Sequence, residues 1–186
     1  MEYDVRAIRA EEWAPARELR LAALSDPLAS VAFLETYEKA VERSETWWRE
    51  RTALVASGDG QCQFVAVGPD TVFAGSVGAV LERPGTVDEV VGLPVDRLQA
   101  HLYGVYVRPE RRGSGLTDAL FAAALDWAWS QPGVERVRLI VNGANPRAEG
   151  FYRRAGFVRT GLTLPFALNP ALLEYEMEML RQSDAR

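Results

Sequence analysis

The stretch "VRPERRGSGLTDAL" (residues 107–120) stands between an apolar run, "AHLYGVYV" (residues 100–107), and a helix-patterned run, "LTDALFAAALDWAWS" (residues 116–130). Gly113 and Gly115 lie at its centre, with Arg111 and Arg112 before them and Ser114, Leu116 and Thr117 completing the turn. Glycine lets a backbone approach a ligand closely, and the first N–H groups of a helix have no partner within it. A strand, a glycine turn and a helix in this order therefore make an anion site. The helix dipole favours negative charge there, and Arg111 and Arg112 can add charge-assisted bonds to phosphate oxygens. Taken alone, the pattern fits a solvated surface turn equally well, because short glycine-rich turns are common.

The ligand class narrows by elimination. A nucleoside-triphosphate loop needs a lysine after its last glycine, and none stands here. A dinucleotide fingerprint needs a third glycine three residues beyond Gly115, where this chain has the anionic Asp118.

Working outward, "VERVRLIV" (residues 134–141) follows the helix as a strand, the layout of a parallel crossover. "NPRAEGFYRRAG" (residues 145–156) then reads as a short helix with Asn145 as N-cap, Pro146 at its first position and Gly156 as its stop. "FVRTGLTLP" and "LLEYEMEML" alternate as strands. Upstream, "YDVRAI" (residues 3–8) is a half-buried strand. "EEWAPARELRLAALSD" (residues 11–26) spaces Trp13, Ala16, Leu19, Ala23 and Leu24 as a helix that Asp26 and Pro27 end. Residues 29–54 show mixed helical periodicity and predict one or two shorter helices flanking Ser44. "QCQFVAVG" and "TVFAGSVGAVLE" predict an antiparallel hairpin around Gly68, Pro69 and Asp70, and "RPGTVDEVVGLPVD" a loop. Within the long helix, Leu116, Leu120, Ala123 and Trp127 predict the core-facing stripe.

Length and composition bound the rest. The chain has 186 residues, of which 48% are hydrophobic and 25% charged, enough to bury a full core in one domain spanning residues 1–186, with 181–186 as a frayed tail. No apolar run reaches the ~18 residues of a membrane span, and the N-terminus lacks a signal-peptide plan, so a cytoplasmic protein is expected, with no membrane partner. A net charge of -5 argues against nucleic acid as a partner. One cysteine, Cys62, and one histidine, His101, form no metal-ligand cluster, and no metal is expected. Cys62 reads as a small buried apolar residue.

Two segments carry a resemblance. "VRPERRGSGLTDAL" resembles the acyl-CoA-binding segment R/Q-x-x-G-x-G/A of the GNAT superfamily of N-acetyltransferases, with Arg112, Gly115 and Thr117 at the marked positions. Thr117 departs from the usual glycine or alanine. "NGANPRAEGFYRRAGF" resembles the later segment N-x-x-A-x-x-[FL]-Y-x-x-x-G-F through Asn145, Ala148, Phe151, Tyr152, Gly156 and Phe157. The resemblance covers residues 102–157 and extends loosely to a group of bacterial members of unassigned substrate. It implies a mixed α/β GNAT fold: a mostly antiparallel twisted sheet of about six to seven strands with splayed central parallel strands, flanked by about four helices. The cofactor it implies is acetyl-CoA.

The implied chemistry is acyl transfer from a thioester to an amine by direct attack in a ternary complex. By resemblance, backbone groups at Arg112, Gly113, Ser114, Gly115, Leu116 and Thr117 take the pyrophosphate, with Arg111 in the same cofactor site. Backbone at Val105, Tyr106 and Val107 pairs with pantetheine like an added strand, and Asn145 and Tyr152 belong to the same site. An amine of pKa ~10 is mostly protonated at neutral pH, so a base or water chain must remove a proton, and the departing thiolate needs an acid. Tyr152 is the candidate acid. Alone it would read as an amphipathic residue capping the core, and the motif context favours function. His101 is the candidate base, since "HLYGVYV" resembles the His-bearing strand of arylalkylamine N-acetyltransferases; Glu35, Glu38 or water are alternatives. A lone histidine at a strand end more often serves as a surface or hydrogen-bonded residue.

The acceptor side is sketched by Glu35, Tyr37, Glu38, Trp47 and Trp48, where an acidic, aromatic pocket would suit a cationic amine, and by Tyr103, which on a regular strand shares the face of His101. For each of these the plainer reading is a solvated glutamate face or a core aromatic, and a bulge would overturn the strand parity. Three functions remain distinct: an enzyme acetylating a small-molecule amine, one acetylating a protein N-terminus or lysine, and a non-catalytic CoA-binding module. Exposed edge strands leave a homodimer open.

Overall fold

The computed structural model describes residues 3–88 and 92–181. Seven strands form a sheet in the order β1-β2-β3-β4-β5-β7-β6, mostly antiparallel with β4 and β5 as its parallel pair. They are β1 (Asp4–Ala7), β2 (Gln61–Val67), β3 (Phe73–Glu82), β4 (Gln99–Val107), β5 (Arg136–Asn142), β6 (Val158–Phe166) and β7 (Asn169–Leu180). The helices are α1 (Trp13–Leu24), α2 (Ala29–Ala32), α3 (Tyr37–Val41), α4 (Glu45–Ala56), α5 (Leu116–Ser130) and α6 (Pro146–Arg154). Contacts divide the chain into two compact units, Met1–Ala79 with Tyr103–Ala124 and Val80–Leu102 with Leu125–Arg186, so that β3, β4 and α5 each contribute residues to both.

In the first unit, β1 pairs antiparallel with β2 from Asp4↔Val67 to Ala7↔Phe64. Helix α1 buries Ala16, Leu19, Ala23 and Leu24, the predicted spacing, against Trp48, Val55, Val65 and Phe73. Residues 29–56 form three helices where the periodicity predicts one or two. Thr36 and Ser44 take extended backbone and cap the N–H groups of Lys39 and Trp47, which starts α3 and α4 afresh. Such hydroxyl residues compete with helix continuation by bonding the backbone themselves. Cys62 is buried, and burial pushes its thiol pKa up.

Within β4, Gly104 sits at φ +61, a conformation that a side chain disfavours. The strand is therefore irregular one residue beyond Tyr103, and simple alternation does not extend through Val105 to Val107.

The second unit is the parallel pair with its hairpin. Gln99, Ala100 and His101 of β4 pair with Arg136, Val137 and Arg138 of β5, and β5 pairs along its whole length with β7. Alternation sorts the two strands, with Ile140 and Leu180 as the apolar residues on the otherwise polar face. Val137, Leu139, Val141 and Met177 are buried on one face, and Arg136, Arg138, Asn142, Glu174, Glu176 and Glu178 share the other. The loop after β3 closes on itself through Val87↔Pro94 and carries Asp88 to a buried position.

Helix α5 buries Leu116, Leu120, Phe121, Ala124 and Ala128. This corrects the predicted stripe, since Ala123 and Trp127 are only half-buried. The stripe advances in steps of four from Leu120, and Phe121 joins it in place of Ala123. The expected frayed tail lies outside the described residues from 182 onward. Arg181 is anchored, donating to the Val134 and Trp129 carbonyls at 2.8 and 2.7 Å.

Candidate active site

The glycine turn is built by backbone conformation. After Val107 the chain makes a single 3-10 turn at Pro109–Arg111, and Gly113 and Gly115 then adopt φ +78 and +80. Both glycines are exposed, with nothing within 4 Å of where a Cβ would stand, so conformation rather than crowding requires glycine there. The ladder of α5 begins with Ala119 N–H donating to the Gly115 carbonyl. The N–H groups of Leu116, Thr117 and Asp118 precede it, as at any helix start. Leu116 is 4% exposed and fixes this end to the interior, while Ser114 Oγ donates to the Arg111 carbonyl at 2.7 Å.

Arg112 occupies the motif position with a side chain already engaged. Its Nε donates to the Val107 carbonyl at 3.0 Å and its Nη2 to Asp26, whose carboxylate is almost completely buried. The guanidinium thus ties the turn to the strand before it and to the chain following α1. Tyr106 and Val107 are buried and Val105 half-buried.

In the second unit, α6 starts as predicted. The Asn145 side chain accepts from the Ala148 N–H at 3.2 Å, Pro146 opens the helix, and Gly156 at φ +100 follows its end. Tyr152 is buried between Phe151 and Phe157, with ring centroids 5.8 and 6.4 Å away. Burial pushes its phenol pKa well above the ordinary range, so the hydroxyl holds its proton at any physiological pH.

His101 enters a buried ionic network centred on Arg138, which is fully buried. Arg138 grips Glu82 with Nε at 2.7 Å and Nη2 at 2.5 Å, donates from Nη2 to Asp88, and reaches Glu176 from Nη1 at 3.5 Å. Gln99 donates to Glu82 at 2.7 Å, and Arg136 pairs with Glu176 at 2.7 Å and Glu178 at 2.6 Å. His101 Nδ1 is 3.4 Å from both Glu82 Oε1 and Arg138 Nη2. Hydrogen accounting separates the two contacts. The two hydrogens of Nη2 already point to Glu82 and Asp88, and the carboxylate can only accept, so the consistent assignment puts a proton on Nδ1 donating to Glu82. Burial alone would raise the Glu82 pKa. The hydrogen bonds from His101 and Arg138, with the charges of Arg138 and His101, outweigh it and hold the carboxyl at about 2.

The expected acceptor residues of the first unit are largely met by this chain's own arginines. Glu35 pairs with Arg20 at 3.1 Å and Arg43 at 3.4 Å. Arg43 and Arg51 lie over the Trp47 ring at 4.4 and 5.9 Å, and Trp48 is buried in the core. Tyr37 and Glu38 are exposed. The Tyr103 ring lies against Gly78, where a Cβ would come within 2.5 to 2.9 Å of it.

Glu82, Asp88, Arg138, Glu176 and Asp26 escaped the sequence reading. The signal for the second-unit set was present: "ERVRLIVN" carries arginines and "LEYEMEML" glutamates at every second position, opposite charges on two strands of one sheet. Asp88 and Asp26 lie on irregular backbone, where no period points to a partner.

The chain thus carries a parallel strand pair joined by a glycine turn and a helix, then a capped helix bearing a buried tyrosine, the order of elements that the sequence resemblance implies for an acyltransferase. Comparison with known proteins agrees. The model of the acetyltransferase (GNAT) family matches residues 26–157, and the chain belongs to that family as an acyltransferase. A GNAT-family acetyltransferase from Streptococcus pneumoniae superposes with a TM-score of 0.76 at 18% identity, covering 96% of this chain and 99% of that one. A phosphinothricin acetyltransferase from Sinorhizobium meliloti, solved with AcCoA, gives 0.73 at 19% identity, covering 100% and 92%. The spermidine N-acetyltransferase of Vibrio cholerae, solved with CoA and spermine, gives 0.69 at 20%, covering 96% and 95%. At these identities the likeness is one of fold. A mycothiol acetyltransferase from Salinispora tropica is 39% identical over 80 residues, which span 42% of this chain and 22% of that protein's length. No described helix is long and apolar enough to cross a membrane.

Proposed function

We propose that this protein transfers the acetyl group of acetyl-CoA to a primary amine of a small molecule by direct attack in a ternary complex. The observation that carries the cofactor assignment is the turn at Gly113 and Gly115, both at positive φ and exposed, immediately before the free N–H groups of a 15-residue helix. This is the donor set that a pyrophosphate uses, and it fits acetyl-CoA. Backbone from Arg111 through Thr117 would hold the pyrophosphate and backbone at Val105, Tyr106 and Val107 the pantetheine, with Asn145 fixing the start of the helix that bears Tyr152. Bound there, acetyl-CoA supplies an activated thioester carbon.

This chain's residues then handle two protons. The ammonium first gives one proton to solvent; His101, held by Glu82 through Nδ1, would then take a second proton from the attacking nitrogen at Nε2 as the C–N bond forms, and return it to solvent. Tyr152 gives its hydroxyl proton to the sulfur as the C–S bond breaks, and recovers one from solvent. The names of similar proteins support small acceptors: one is a mycothiol acetyltransferase, another a spermidine N-acetyltransferase solved with spermine. A protein N-terminus or lysine uses the same chemistry. A thiol-release assay over a panel of small amines and peptides, run beside calorimetry of acetyl-CoA binding, tests the proposal. Turnover on small amines is expected, turnover on peptides alone would replace the acceptor class, and binding without turnover on any acceptor would leave a CoA-binding module.

A further inference from the structure

The segment between β3 and β4 closes on itself through its own backbone. Gly85 N–H donates to the Val95 carbonyl at 3.0 Å, Val95 N–H to the Thr86 carbonyl at 2.9 Å and Asp88 N–H to the Leu93 carbonyl at 2.9 Å. Thr86 Oγ1 donates to the Arg83 carbonyl at 2.7 Å, and Val95 is buried. These bonds hold a carboxylate, that of Asp88, at 4% exposure against Nη2 of Arg138.

Charge alone does not call for Asp88. Arg138 already holds Glu82 through two nitrogens and reaches Glu176. A further buried carboxylate on the same guanidinium carries a desolvation cost that the added attraction need not repay. What Asp88 changes is the hydrogen count at Nη2, a nitrogen with two hydrogens. Glu82 Oε1 takes one at 2.5 Å and Asp88 takes the other, while His101 Nδ1 stands 3.4 Å from the same nitrogen. Without Asp88 the released hydrogen would have Nδ1 as an acceptor within reach. An imidazole carrying one proton donates from one nitrogen and accepts at the other, so the ring proton would move to Nε2.

We propose that Asp88 is a positioning residue that keeps the proton of His101 on Nδ1 by withholding an Arg138 hydrogen from that nitrogen. It acts through Arg138, and the loop that carries it is thereby coupled to the tautomer of the candidate base. The tautomer follows from the hydrogen count; its consequence for turnover rests on the reading of His101 as the base that uses Nε2.

His101 is the chain's single histidine, so protein made with isotope-labelled histidine shows one imidazole, whose nitrogen–proton correlations in NMR report the tautomer. At a pH where the same signals show a singly protonated ring, wild type should carry the proton on Nδ1 and Asp88→Ala on Nε2. Asp88→Asn, whose side-chain oxygen still accepts from Arg138, should keep the wild-type tautomer. Asp88→Leu fills the space with no acceptor; it should match Asp88→Ala, and it takes that variant's place if the smaller side chain does not fold. Asp88→Ala should lower kcat by about a hundredfold, the scale of a lost general base, with KM for acetyl-CoA unchanged and the rate restored in Asp88→Asn. A wild-type proton on Nε2, or one that stays on Nδ1 in Asp88→Ala or Asp88→Leu, overturns the proposal. A change of tautomer with kcat unaltered upholds the hold of Asp88 on the ring and removes His101 as the base. If no amine is turned over, the spectra alone decide.

Discussion

His101 and Glu82 meet through Nδ1 and Oε1 at 3.4 Å, and the saturation of Arg138 Nη2 by two carboxylates makes that contact a donation from the ring to Glu82. A base is of use only if its lone pair is aimed, and this contact does the aiming. His101→Ala should lower kcat by about a hundredfold, within the range for loss of a general base, and flatten the acidic limb of the pH–rate profile. Glu82→Gln should lower kcat less and leave KM for acetyl-CoA unchanged. A wild-type profile in His101→Ala would transfer the role to Glu38 or water.

The same carboxylate makes stability depend on pH. Glu82 is held at about 2 against 4.5 for an ordinary glutamate, so the unfolded chain binds its proton first on acidification. The stabilisation is complete above the ordinary glutamate range near pH 4.5 and is lost as the pH falls through that value toward about 2. Urea unfolding across that window should show a steeper acid loss in wild type than in Glu82→Gln. Parallel curves would remove Glu82 as the source.

Tyr152→Phe keeps the buried ring and removes only the proton donor. Turnover at saturating acetyl-CoA should fall by about tenfold to a hundredfold, toward the low end of general-acid contributions. Unchanged turnover would take Tyr152 out of the mechanism.

Gly115→Ala forces a side chain to φ +80. The strain of about 1–2 kcal/mol should be relieved by reshaping the turn, weakening acetyl-CoA binding in calorimetry about tenfold or more. Acceptor KM should change little. Binding at the wild-type level would show that the turn does not hold the cofactor.

Asp26→Asn removes the charge opposite Arg112 and should release the guanidinium from its tie to α1. A weakened buried pair predicts a stability loss of about 1–3 kcal/mol. It also predicts a raised Kd for acetyl-CoA with kcat preserved. A variant that loses stability and keeps the wild-type Kd would confine the pair to folding.

Much of this was legible before any coordinates. The turn at residues 112–117, the cap at Asn145, the stop at Gly156 and the alternation of β5 and β7 are local devices, each set by residues within a few positions of one another, and all stand where the spacing put them. Helix α5 kept its ends and lost its stripe, because which apolar face is buried depends on what lies against it. The three helices of residues 29–56 were blurred because two capping residues interrupt one period without changing it.

What the sequence determined by itself is therefore the family, the glycine turn and the order of the elements, since glycine conformation, capping and periodicity are properties of neighbouring residues. Only the tertiary structure decided which charges meet. Arg138 closes on Glu82, Asp88 and Glu176, 56, 50 and 38 residues away along the chain. It also decided that Glu35 is answered by Arg20 and that His101 is held by Glu82. A buried charge selects its partner through space and desolvation, and the chain's linear order records neither.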